Sequence, residues 1–321
     1  MKKLFLLMVA IIVASSTMFG QNSMLATLSH GENITMFYGT YALRDAMNAA
    51  ENGDIINLSG GAFQAVNITK AVTLRGTGID DAAPTYINGS FDVNVVNDTH
   101  RLTLEGIRCT DYLTMKGTLT NPYFVKSQFN YINYGTASIK NAMIVNCRIT
   151  SRYHLNGSST AQFINSYVNN FSNYSANNTE ASFINCVIKP EGDRNDYIIN
   201  SQLLNTVIVS NKNYYLPSSS VATNCVSVNS SLNIFSNSQA NTGCFYGVSY
   251  SDLFKDSQTL ELTDDAKTKY LGNDGTQVGI YGGVLPYSSI PSYPRITKMN
   301  VANKTTADGK LSVEIEVSAA K

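Results

Sequence analysis

Arg152, His154, Glu191 and Asp193 are the residues of this chain best suited to chemistry. A carboxylate and an imidazole can exchange protons with a substrate, and a guanidinium can stabilise developing negative charge. Spacing does not divide the roles of base, acid and charge stabiliser among the four. Beside them in the sequence run Tyr134, Tyr153, Tyr174, Arg194 and Tyr214. Tyrosine offers a flat apolar face with a polar tip, which suits the C–H faces and hydroxyl rims of sugar rings. A run of such residues along one edge would hold a polysaccharide without cleaving it. No P-loop, zinc spacing or Ser-His-Asp order stands out, and acids are too few over 124–250 to build a calcium cage. No metal or cofactor is expected.

These residues recur because the sequence does. Six strings, FVKSQF, IVNCRI, FINSYV, FINCVI, LLNTVI and ATNCVS, centre on Lys126, Asn146, Asn165, Asn185, Asn205 and Asn224. The steps are 20, 19, 20, 20 and 19 residues (126 to 146, 146 to 165, 165 to 185, 185 to 205, 205 to 224). A fixed period near twenty marks a solenoid. Leucine-rich repeats share it, but their leucine pattern is absent. Here the repeats are β-branched, aromatic and rich in Asn and Ser, which favours strands.

Setting each centre at position zero, alternation puts positions −1, +1 and +3 on an inner face and +2 outside. The apolar residues at −2 require a bend near the Asn, which spacing does not place. Glu105 lies 21 residues before Lys126 and is expected in the same column. Asn146, Asn165, Asn185, Asn205 and Asn224 are expected to stack as an amide ladder. Among five cysteines, Cys147, Cys186 and Cys225 fall two coils apart, beyond disulfide reach, so they are expected as buried thiols. Cys225 and Cys244, one coil apart, are the pair that can bridge.

A solenoid needs covered ends. Leu43, Ala46, Met47 and Ala50 share one helical face, so 40–52 reads as an amphipathic capping helix, with Thr40 as N-cap and Gly53 as C′ residue. ALRDAMNAAENGDIINLSGGAF, followed by ITKAVTLRGTG, resembles the opening of right-handed parallel β-helix proteins of the pectin-lyase-like superfamily. With NDGTQVGIYGGVLPY near the C-terminus, the pattern is similar to exported β-helix proteins of Bacteroidetes. The resemblance covers most of residues 30–290. It implies an all-β right-handed parallel β-helix. It leaves activity open, because the superfamily holds lyases, hydrolases and adhesins. Asp264-Asp265 and the Arg295–Lys298 stretch echo its polygalacturonase-like hydrolases, but they fall beyond the regular coils.

The remaining boundaries follow from composition. Lys2 and Lys3 before an apolar run from Leu4 to Ala14 read as a signal peptide over 1–20. The β-helix domain then spans 21–285. A Pro-rich linker and a β-hairpin tail, RITKMNV and KLSVEIEV about an Asp-Gly turn, fill 286–321. No later segment is long enough to span a membrane. With 23 basic and 23 acidic residues the net charge is zero, so no surplus exists to neutralise phosphates, and nucleic acid is not an expected partner. The expected function is an exported, non-catalytic protein, periplasmic, surface-bound or secreted, that binds glycan or a surface protein along one face. The alternative is a polysaccharide lyase or glycoside hydrolase.

Overall fold

The computed structural model describes residues 24–79, 84–96, 99–135, 137–156, 158–173, 179–228, 231–301, 304–306, 308–310 and 312–318. The expected signal peptide lies outside them. The chain winds into a parallel β-solenoid of about nine turns. Each regular turn gives one strand to each of two long sheets. The first sheet stacks nine parallel strands from Ile55–Leu58 to Val221–Thr223. The second stacks ten, from Gly61–Gln64 to Phe245–Val248, with Phe91–Asn94 as a side branch. Register reproduces the sequence period. Tyr123 pairs with Met143, Ala142 with Ala161, Phe163 with Phe183, Phe183 with Leu203 and Leu203 with Ala222.

The recurrent centre of each string is the corner between the two sheets. Lys126, Asn146, Asn165, Asn185, Asn205 and Asn224 all have φ between 46° and 53°. Left-handed backbone costs an ordinary L-residue about 1–2 kcal/mol, and Asn and Gly bear it best. That conformation is the bend the sequence required, and it breaks the strict alternation. The residue at −2, not −1, points inward. Phe124, Ile144, Phe163, Phe183, Leu203 and Ala222 are buried, while Ile164, Ile184 and Leu204 at −1 are only partly covered. Positions +1 and +3 are inside as expected. Glu105 pairs with Val125, so it stands at −1, and Gly106 with φ 64° takes the bend.

Small residues at +1 repair the backbone after each bend. Ser166 Oγ accepts from the Cys147 amide at 3.0 Å and donates to the Ile164 carbonyl at 2.8 Å. Thr206 does the same for Cys186 and Leu204. Buried amides and carbonyls therefore find partners where the strands stop. Among the described residues Lys126 is the only left-handed member of this corner column that is neither Gly nor Asn. Lys126→Asn is expected to raise stability by about 0.5–1 kcal/mol, because it relieves part of the left-handed cost. Equilibrium urea unfolding checks it; an unchanged or lower midpoint would contradict the strain argument.

The N-terminal end is covered, with more chain than the sequence suggested. A hairpin, Leu25–His30 with Asn33–Tyr38, pairs antiparallel to Ile55–Leu58 and closes the first sheet. The capping helix spans Ala42–Ala49, shorter than 40–52, and its N-cap is Tyr41, with no side-chain cap bond. Leu43, Ala46 and Met47 face the core as the periodicity predicts. Lys70 Nζ donates to the Met47, Asn48 and Ala50 carbonyls, which satisfies the helix C-terminus. The tail strands Arg295–Val301 and Val313–Ser318 pair antiparallel.

The segment from Tyr250 to Tyr293 folds back along the outside of the solenoid. Two short helices, Tyr250–Leu253 and Asp264–Lys269, lead into it. Leu253, Phe254, Leu262, Val278 and Ile280 form a second core with Val187, Val207 and Val226. Those valines hold position +2, outward from the coil interior as expected, yet buried beneath this strap. The strap also occupies the corner column. Asn165 Nδ2 donates to the Ile280 and Gly282 carbonyls at 2.9 and 2.7 Å. Asn205 exchanges bonds with the Asn273 side chain and amide. Gly283, with φ 75°, comes so near Asn185 that a β-carbon would sit 2.2 Å from Nδ2. The Oδ1 atoms of Asn146 and Asn185 have no hydrogen-bond partner. The expected ladder of these five amides is thus replaced by docking of the strap and by tolerance of the bend. Further on, Ser292 donates its amide to Glu105 at 3.0 Å, so the strap runs back to the third strand of the first sheet.

Candidate functional site

The edge expected to carry chemistry is divided by the structure. Tyr134 and Tyr153 are fully buried, and their hydroxyls bond each other. Their rings pack at 5.4 Å, and Tyr153 lies 4.8 Å edge-on to Phe163. Burial pushes both phenols well above their usual range. They are core residues and cannot reach a glycan, because the parity of Gln128–Asn133 and Arg148–His154 turns them inward. Tyr174 lies outside the described residues. Arg194 pairs with Asp196 at 2.6 Å, which raises its affinity for the proton. Its guanidinium sits 4.7 Å from the Tyr197 ring and 4.5 Å from that of Tyr214.

Arg152 and Glu191 do meet, as a partly covered ion pair. His154 feels both, and its pKa is lowered by burial first and by Arg152 second, against the pull of Glu191. Asp193 faces Lys189 at 3.9 Å. Exposed Tyr112 and half-buried Tyr131 stack edge-on at 4.9 Å in the same register, with Arg152 5.9 Å from the Tyr131 ring. The sequence pattern missed this aromatic pair, although Tyr131 lies just three residues before Tyr134. Among the described residues no group of three or more His, Cys, Asp or Glu is placed to hold a metal.

A further concavity lies elsewhere. A groove of about 940 Å³ runs along the outer face of the first sheet. One wall descends rung by rung through Arg101, Asn121, Asn141, Thr160, Glu180, Asn200, Ser219 and Gln239. Those are eight levels, or about 34 Å at ~4.8 Å per step. Its floor is the outward column Met143, Gln162, Ser182, Gln202 and Val221, paired in register.

Local backbone builds that wall. Asn121, Asn141 and Asn200 have φ of 55°, 54° and 47°, a second set of left-handed corners at the entrance to the sheet. Here an amide does bond an amide, from Asn141 Nδ2 to Asn121 Oδ1 at 3.2 Å. Thr160 Oγ1 accepts from the Asn141 backbone at 2.7 Å, and Ser219 Oγ does so for Asn200 at 3.1 Å. At one end Arg101 lies 4.2 Å over the Tyr123 ring and donates Nε–H to the Asn121 carbonyl at 3.0 Å. Amides and hydroxyls both donate and accept, so the groove presents mixed hydrogen-bonding capacity at each rung. Charge is sparse: Arg101 at one end and Glu180 midway. The sequence carried a signal for it in the Gln162, Ser182, Gln202 alternation, which holds polar residues outward on a sheet whose inner face is aromatic.

The five cysteines are all unbridged. Burial pushes the Cys147 and Cys186 thiols up to about 12, and Cys109 also goes up. No family model, curated protein or solved structure matches this chain.

Proposed function

We propose that the protein is an exported β-solenoid that holds a neutral polysaccharide lengthwise in the groove of the first sheet. The observation that carries this reading is the groove itself, polar and nearly uncharged over eight rungs. A sugar polymer repeats hydroxyl donors and acceptors along its length, and the wall repeats matching groups every ~4.8 Å. The capping helix and the GDIINLSGG turn support kinship with the pectin-lyase-like superfamily and with exported β-helix proteins of Bacteroidetes. The basic, apolar and small-residue order of residues 1–20 supports export.

The test is retention of chain 21–321 on a panel of immobilised polysaccharides, with reducing and unsaturated ends assayed in the same samples. Retention without release is expected. Gln162→Ala with Gln202→Ala should weaken it about tenfold, the loss of roughly 1.4 kcal/mol of hydrogen bonding. Arg194→Ala, outside the groove's lining and packed between Tyr197 and Tyr214, should change nothing. Undiminished retention in the double variant would remove the groove from consideration.

One observation favours a second reading. Arg152 and Glu191 are joined, with His154 in their field. A lyase or hydrolase would act at that corner, and release of chain ends that vanishes in Glu191→Gln would establish it.

A further inference from the structure

Cys225 and Cys244 differ from the other thiols in placement. Cys225 stands at the inward +1 position, fully buried. Cys244 is its counterpart one turn on, since Val226 pairs with Phe245 and the Phe245 amide donates to the Cys225 carbonyl at 2.8 Å. Adjacent parallel strands lie ~4.8 Å apart, inside the Cα separation that a disulfide spans. Cys244 packs against the core cluster to which Cys225 belongs. Cys244 is the half-exposed member, and the neighbouring Cys225 draws its pKa down against the effect of burial.

We propose that Cys225 and Cys244 are a redox site that locks the last turn of the solenoid by a disulfide. Cys244 is the attacking thiol, because it alone combines solvent access with a stabilised thiolate. Its thiolate attacks an external disulfide, R–S–S–R, of glutathione or protein origin. A bond forms between Cys244 Sγ and one sulfur, and the other leaves as RS⁻. Cys225 then gives its proton to RS⁻ and attacks Cys244 Sγ, expelling the second thiol. Two protein thiols are oxidised to one disulfide, and the external disulfide is reduced to two thiols. The bridge closes the loop from 226 to 243, which carries Val226–Val228, the last strand but one of the second sheet, and the chain leading on to the final one, Phe245–Val248. It lies at the C-terminal end of the rod and acts whatever the groove binds.

The experiment equilibrates the full chain with oxidised glutathione, then denatures it, labels it with a maleimide and weighs it. Five cysteines less two should leave three labelled, with a Cys225–Cys244 cross-linked peptide on digestion. Cys244→Ser should take four labels and form no bridge. Cys225→Ala should stop at a glutathione adduct on Cys244. Five labels on the oxidised native chain would overturn the proposal, as would a bridge to any other cysteine. A persistent adduct on Cys244 with Cys225 intact would also overturn it.

Discussion

Phe183→Ala is expected to cost about 3–5 kcal/mol, the upper range for a truncated core aromatic. Phe183 is fully buried in a continuous column. It stacks on Phe163 at 4.7 Å with the planes 10° apart, and meets Phe171 edge-on at 4.9 Å. Aromatic pairs add about 0.5–1.5 kcal/mol beyond the area they bury. In many cores a neighbour relaxes into the space a truncation leaves. Here the rungs above and below are held at fixed spacing by backbone bonds along Thr160–Ile164, Glu180–Ile184 and Ser201–Leu204. The cavity therefore stays open, and its lining loses contacts on both sides. Urea unfolding of the variant, followed by far-ultraviolet circular dichroism, measures the loss. A cost under about 1 kcal/mol would mean that the stack collapses and that the rungs are not rigid.

The period of the solenoid was readable because it is a local property repeated many times. Each step of 19 or 20 residues is also a strand pairing, so the count alone fixes the register from Lys126 to Asn224. The facing of side chains was not fully readable. One left-handed residue per corner inverts the parity across it, and position −2 replaces −1 inside. Tyr134 was misplaced for the same kind of reason: a bulge between Phe129 and Tyr131 inverts the parity and turns it inward. Tyr153, at +7, has the inward parity of +1 and +3, and the strand Arg148–His154 runs on through it instead of ending before it. The strap left only an indirect trace. Val187, Val207 and Val226 are apolar where Gln128 and Arg148 are not, which signals a cover over the later coils. What supplies that cover is 115 to 117 residues away from Asn165, which it meets, and no periodicity reaches that far.

Substitution at Asn165 separates the two demands placed on the corner column. Its backbone has φ of 46°, and its amide holds two strap carbonyls in a site 1% exposed. Asn165→Ala should lose both features. The left-handed conformation costs alanine about 1 kcal/mol more than asparagine. Two buried carbonyls left without their donor cost roughly 1–3 kcal/mol in total when the strap can shift toward water. The sum is a loss of about 2–4 kcal/mol. Asn165→Gly keeps the bend at no steric cost and removes only the amide, so it should be the milder of the two by about 1 kcal/mol. Hydrogen exchange should then show faster opening of residues 278–283 in both variants, since both release the strap. Equal stability of the two would mean that the bend does not select asparagine. A glycine variant as stable as the native chain would mean that the strap rests on its apolar face alone. The ordering alanine, glycine, native, from least to most stable, is what a residue serving both the corner and the strap requires.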